Sequence, residues 1–298
     1  MNLKRKRLLF FIVCLLFLAA CGRAPEGVTQ ELTRSPAATP TSVPTSQPTA
    51  TADLVGVRVT YVGNCGFLIT AGEEKVLVDA LFAGSAGAYL LPNEVREPLL
   101  NAAPPFDGVD LILATHDHGD HFTAGMVRQH MLNDPEAVFI STTQAAGQLT
   151  GFGERVIAVD PTEGSPVQVE ANGIRVEAIY LSHGYPPDDP AETFNNAYVV
   201  TIGDLRFFHT GDINDLRDAG QYDLAGTGID LAFISHSYMV SGTSRSTLED
   251  VVGADYLFPM HFQYIQSAFT RDTIRANYPD AIVFSRGLET WYMPLQGN

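Results

Sequence analysis

Thr115-His116-Asp117-His118-Gly119-Asp120-His121 places three imidazoles and two carboxylates within seven residues, directly after the mostly apolar run Val109-Asp110-Leu111-Ile112-Leu113-Ala114. Imidazole nitrogen and carboxylate oxygen are donors that borderline divalent metals accept, and a short loop containing glycine can turn several of them toward one point. Residues two apart in an extended stretch project to the same side, so His116 and His118 can share one ion. Asp120 and His121 open the next helix and face a second position. In a chain with only eight histidines, this clustering favours a metal loop over a solvated polar turn.

Working outward, Val57 to Val62 alternates, Phe67 to Thr70 is rich in β formers, and Lys75 to Asp79 follows the turn Ala71-Gly72-Glu73-Glu74, which predicts an antiparallel meander before the loop. Thr123 to Leu132 has the composition of a helix and stops before Asp134-Pro135. Strands are expected at 138–140, 156–159, 167–170, 174–181, 197–202 and 205–209. The second half repeats the pattern of apolar strand followed by polar loop. Leu231 to Ile234 ends in Ser235-His236, Tyr256 to Pro259 ends in Met260-His261, and Ala281 to Phe284 reads as a late strand. Such strand-rich halves with interspersed helices imply a layered α/β domain, two sheets face to face with helices outside.

At these residues the sequence resembles the metallo-β-lactamase superfamily, whose hallmark is a His-x-His-x-Asp-His loop. The resemblance covers most of residues 57–294 and implies an αββα sandwich of two packed mixed sheets with outer helices. Leu77-Val78-Asp79 resembles the family's early strand ending in an aspartate that supports the metal loop. Leu181-Ser182-His183, Thr210-Gly211-Asp212 and Pro259-Met260-His261 resemble its later metal segments. The resemblance implies one ion on His116, His118 and His183, a second on Asp120, His121 and His261, and Asp212 bridging the two. Zinc is the first expectation, with manganese and iron accepting the same donors. It further implies hydrolysis, in which two ions share a water, lower its pKa and polarise the group it attacks, with Asp120 orienting the nucleophile.

His209, just before Thr210, is expected behind the ligands, and His130 in packing or at the surface. His236 is expected either to touch the substrate or leaving group, with Tyr238 nearby, or to be a loop histidine bonded to backbone. Cys65 reads as a small core residue. Ser182 to Phe194, with Pro186, Pro187, Pro190, Asp188 and Asp189, reads as the pocket rim, and Arg217 or Arg245 as a phosphate contact.

The chain has 298 residues, 45% hydrophobic and 17% charged, which suits one substantial packed domain. Its formal charge is −16, and Lys4, Arg5, Lys6 and Arg7 sit at the extreme N-terminus. The remainder repels phosphate backbones, which disfavours nucleic-acid binding. Three cysteines cannot supply a disulfide framework. After the basic residues, Leu8 to Leu18 is an unbroken apolar run, short for a membrane span and suited to a signal core. Leu18-Ala19-Ala20-Cys21 resembles the bacterial lipobox, which implies a signal peptide over 1–20, a lipidated Cys21 and an enzyme tethered to a bacterial envelope membrane. An uncleaved anchor is the competing reading, and either places the rest outside the cytoplasm. Residues 21–52, with prolines spread among Thr, Ser and Ala, read as an extended linker, and 53–298 as the folded domain.

Within the superfamily, arginine after the loop aspartate and a metal-site cysteine mark class B1 β-lactamases; here those positions carry His121 and Asp212. The 140 residues from His121 to His261 leave no room for the extra domain of the family's nucleases. The chain resembles instead the compact branch that includes ascorbate-6-phosphate lactonase, on Gly63-Asn64-Cys65-Gly66-Phe67-Leu68-Ile69. Three functions follow as alternatives: a hydrolase of a small lactone, ester, amide or phosphodiester, a lipid phosphodiesterase, and a non-catalytic metal- or ligand-binding lipoprotein. No oligomeric state is implied.

Overall fold

The computed structural model describes residues 56–84, 90–184, 194–240, 245–262 and 267–294. The expected signal peptide, Cys21, the linker and most of the rim segment lie outside these residues. β1 (Val57–Gly63), β2 (Gly66–Ala71) and β3 (Glu74–Val78) form an antiparallel meander, and β4 (Leu111–Leu113), β5 (Val138–Ser141) and β6 (Val156–Ala158) extend it in parallel. β7 (Val167–Ala171), β8 (Ile174–Tyr180), β9 (Asn196–Ile202) and β10 (Leu205–His209) make a second antiparallel run, to which β11 (Leu231–Ser235) and β12 (Tyr256–Met260) add in parallel. β13 (Thr290–Tyr292) returns to pair antiparallel with β1. The sheet orders are β13-β1-β2-β3-β4-β5-β6 and β12-β11-β10-β9-β8-β7.

Period-two alternation sorts the strand residues into layers. Ile69, Val76, Val78, Leu113 and Ile140 of the first sheet meet Val176, Val200, Phe207, Phe233 and Phe258 of the second in one core. Phe67 and Phe233 join the sheets with ring centroids 4.5 Å apart. Burying each such ring contributes roughly 1.5–3 kcal/mol. The opposite faces are also apolar, so helices must cover them. Leu68, Leu77, Ile112 and Phe139 pack under helices Asn93–Leu100 and Ala124–Asn133, and Val199, Phe208 and Ile234 under Arg245–Val251 and Ser267–Asn277. The result is an αββα sandwich.

One expected element differs. Ala281 to Phe284 is not a strand: Ile282 N donates to Leu257 O at 2.9 Å, and no ladder follows. Its side chains divide between two cores, Val283 on the outer face and Phe284 between the sheets, and the pairing strand comes later as β13.

His130 is a buried brace between the two helices on the first sheet, its Nδ1 donating to Leu99 O at 2.6 Å. Burial pulls its pKa below the ordinary histidine value, against the Leu99 bond. The unfolded chain, with histidine near pH 6.5, therefore binds protons that the folded one refuses, and this costs stability as pH falls through that value. His130→Gln is expected to lose about 1–3 kcal/mol at pH 7.5. By urea unfolding, its deficit against the native chain is expected to shrink by pH 5.5, and an unchanged deficit would contradict this.

Candidate metal centre

Every candidate side chain follows a strand and sits at one edge of the sandwich. Asp79 follows β3, His116 to His121 follow β4, His183 follows β8, and Asp212, His236 and His261 follow β10, β11 and β12. Because β3 and β4 run parallel, as do β10 to β12, their carboxyl ends open into a shared crevice. Buried polar groups tie the loops together. Asn195 Nδ2 donates to Leu181 O (3.2 Å) and Thr210 O (3.1 Å), while its Oδ1 accepts from Asp212 N at 3.2 Å. Tyr198 and Ser141 hydroxyls both donate to Ala114 O, the first holding the end of β4 against the second sheet and the second tying it to β5.

Two groups of donor atoms result. His116, His118 and His183 form one, and His121, Asp212, His261 and Cys65 the other, with ligand atoms inside each group within 4.8 Å of one another. In the first, His116 Nε2 and His118 Nδ1 face each other at 3.2 Å. In the second, Asp212 Oδ2 lies 3.4 Å from His121 Nε2 and 3.2 Å from His261 Nε2. The same oxygen is 3.8 Å from His183 Nε2, so Asp212 faces both groups. Asp120 stands at the margin of the second, Oδ2 3.6 Å from His261 Nε2, with its own backbone carbonyl bonded by Asn64 Nδ2 at 3.0 Å.

Asp79 sets the tautomers. Its Oδ1 accepts from Thr115 N (2.7 Å), and its Oδ2 accepts from Thr115 Oγ1 (2.8 Å) and His121 Nδ1 (2.7 Å). A carboxylate only accepts, so the Thr115 hydroxyl spends its proton on Asp79 and must accept from His116 Nδ1, 3.0 Å away. Both His116 and His121 thus carry their proton on Nδ1 and turn Nε2 toward the donor groups. One buried carboxylate orients a histidine in each group.

Without an ion, protons on the second group balance its carboxylates, and a cation there would displace them. Burial drives the His116 pKa well below the usual range, leaving it neutral. Burial also opposes charge on His121, but Asp212, Cys65 and Asp79 outweigh it and hold its pKa well above the usual value. For His261, burial is likewise outweighed by Asp120 and Asp212, which raise it to about 9. Burial works against the Asp212 carboxylate, yet His121 and His261 hold it well below the ordinary range. Concentrating carboxylate charge among imidazoles prepares a cation site.

His121 Nε2 is buried and makes no hydrogen bond. An orphaned imidazole nitrogen beside a carboxylate, in a set of nitrogen, oxygen and sulfur donors, fits a divalent ion.

His209 lies behind the ligands, Nε2 donating to Cys65 O (3.0 Å) and Nδ1 accepting from Gly211 N (3.2 Å). His236 stands beside His261, Nδ1 donating to Met260 O at 3.1 Å and its ring stacked on Phe262 at 5.1 Å. Arg217 and Arg245 do not reach the centre: exposed, they pair with Asp215 and with Glu249 and Asp280. Cys65 is core, as its sequence setting suggests, but also adjoins the second donor group. Burial pushes its thiol pKa up. Nothing in Gly63-Asn64-Cys65-Gly66 announces that proximity, which arises only when the β1–β2 turn packs beneath His121.

The model of the beta-lactamase superfamily domain matches residues 58–261. The chain belongs to the β-lactamase superfamily. A UPF0173 metal-dependent hydrolase of Thermus thermophilus is 27% identical to this superfamily member over 181 residues, covering 60% of this chain and 70% of that protein. Among solved structures, Igni18, a metallo hydrolase from Ignicoccus hospitalis, aligns with a TM-score of 0.55 at 16% identity over 80% of this chain and 99% of its own. An isothiocyanate hydrolase from Delia radicum gut bacteria aligns with a TM-score of 0.57 at 16% identity, covering 79% and 100%. These two likenesses are of fold.

Proposed function

We propose that this β-lactamase superfamily member, a metal-dependent hydrolase in class, cleaves a lactone, ester, amide or phosphodiester bond with two divalent ions, zinc foremost, outside the cytoplasm. The observation that carries the reading is Asp212 Oδ2, within 3.8 Å of histidines from both donor groups. His116, His118 and His183 would hold one ion, His121 and His261 with Asp120 the other, and Asp212 both. Two ions so held supply a water activated at neutral pH and polarise the carbonyl or phosphoryl oxygen under attack.

The chain's own residues supply the rest. Asp79 holds a proton on Nδ1 of His121 directly and of His116 through Thr115, so Nε2 is the atom each would offer a cation. Asn64 steadies Asp120, whose carboxylate would help hold the second ion and orient the nucleophile. His236 Nδ1 is committed to Met260 O, which leaves Nε2 for a substrate or leaving group. Support for the location is the Leu18-Ala19-Ala20-Cys21 segment, through which lipidated Cys21 would anchor the enzyme.

The test is a panel of lactones, esters, amides and phosphodiesters offered to the metal-loaded protein. Turnover of one class is expected, abolished by a chelator, restored by metal and reduced by about 10³-fold or more in His183→Ala. A fully metallated protein inactive on the whole panel would favour the binding-lipoprotein alternative. Full turnover in His236→Ala would remove that residue from the mechanism.

A further inference from the structure

Two cavities compete as the home of a substrate. The larger, about 410 Å³, runs along β7 to β10 between Gln168 and Arg206, and none of the donor residues lines it. The smaller, about 340 Å³, falls within the range of small-molecule pockets and is lined by Tyr61, Asn64, Phe82, Leu91, Phe262 and Arg271, among others. It adjoins the metal centre through two residues. Asn64 bonds Asp120 and receives the His261 amide at 3.2 Å, and Phe262 is the next residue after His261.

The walls are apolar with one inward cation. Phe82 and Leu91 are buried. Arg271 stacks its guanidinium over Phe262 with Cζ 4.6 Å from the ring centroid, opposite a ring whose other neighbour is His236 at 5.1 Å. Its Nε is buried and makes no hydrogen bond. Among the described residues no carboxylate lies within 4.0 Å of it, in a chain with 34 acids against 18 bases. The other charges lining the cavity do not offset it. Glu94 is exposed, and Arg286 is exposed and spent on Glu289 at 3.6 Å. Tyr61, on the same wall, is in side-chain contact with the guanidinium, and the Nε donor is left over; a half-buried guanidinium held flat by an aromatic ring suits a planar anion.

We propose that this cavity is the substrate pocket and takes an apolar chain ending in a single carboxylate, bound by Arg271 while the scissile group lies beyond Asn64 at Asp120. The assignment rests on the hydrolase reading for its link to turnover, but binding alone tests it. Selectivity then comes from the pair of features together: an apolar body without the anion leaves Arg271 unsatisfied, and an anion without the body forfeits the wall.

The experiment is calorimetric titration of the metal-free protein with octanoate, acetate and 1-octanol, in the native chain, Arg271→Met and Arg271→Lys. Octanoate is expected to bind at least tenfold more tightly than acetate or 1-octanol. Arg271→Met is expected to lose at least tenfold in octanoate affinity with 1-octanol unaffected, and Arg271→Lys to recover part of the loss. Octanoate binding unchanged in Arg271→Met, absent from the native chain, or no tighter than acetate would overturn the proposal. Because no metal or turnover is involved, an inactive enzyme that still discriminates in this way sinks the hydrolase reading and leaves the pocket standing.

Discussion

Asp79→Asn is expected to leave the fold largely standing and to empty the metal centre. Asp79 has φ +46°, a left-handed conformation that asparagine tolerates, so the backbone cost is small. The chemistry changes at Oδ2, which accepts from both Thr115 Oγ1 and His121 Nδ1. An amide nitrogen placed there donates instead. His121 is pushed to the other tautomer, with its proton on Nε2, and the Thr115 hydroxyl is freed to donate to His116, which moves that proton to Nε2 as well. Both groups then face cations with N–H bonds. Loss of such an orienting partner costs 10- to 100-fold in metal affinity, and two affected histidines place the expected loss at about 100-fold. Asp79→Ala is expected to unfold the domain more readily, by about 3–5 kcal/mol, because buried donors from Thr115 and His121 lose their acceptor together. Titration with zinc, alongside urea unfolding, separates the two variants. Native affinity in Asp79→Asn would contradict the tautomer argument.

Gly211→Ala is expected to damage stability and site together. Gly211 has φ +60°, and a Cβ there would lie 2.3 Å from Asn195 Oδ1 and 2.7 Å from Thr115 Cβ. Neither neighbour can retreat. Asn195 and Thr115 are fully buried, Asn195 Oδ1 holds the Asp212 amide, and Thr115 is bonded to Asp79. Backbone strain and overpacking sum to roughly 2–4 kcal/mol, or about 5–15 °C in Tm for a domain of this size. The displaced Asp212 carries the loss into both donor groups. Gly173 is the control, with φ +77° and nothing within 4 Å of its Cβ. Gly173→Ala is expected to cost about 1 kcal/mol and no metal. Equal effects of the two substitutions by thermal unfolding would remove the packing argument.

The fold was legible in sequence wherever one residue type recurs at a local spacing. The meander before β4 and the apolar strands ending in polar loops are patterns of that kind, and they led to two facing sheets. Ala281 to Phe284 misled because its apolar residues serve two different cores, which looks like a strand until its single bond to Leu257 is seen. β13 was invisible because three residues, Thr290 to Tyr292, gain strand character only by meeting β1 from 230 positions away.

The candidate site divides in the same way. His116 to His121 announce themselves by spacing, and the later histidines and Asp212 by the strand ends they follow. Cys65 and Arg271 carry no such mark. One reaches the second donor group through the turn between β1 and β2, and the other reaches the cavity from a helix after the last histidine. Arg217 and Arg245, the phosphate contacts expected from sequence, are retired by their nearby carboxylates, Asp215 and Glu249.

The most direct measurement is the metal content of the purified protein by elemental analysis, in the native sequence, His183→Ala and Asp212→Ala. The shared Asp212 predicts about two equivalents in the native chain, about one in His183→Ala, where only the first group is broken, and less than one in Asp212→Ala. Less than one equivalent in the native chain after incubation with metal, or occupancy unmoved by either substitution, would contradict a centre built on these residues.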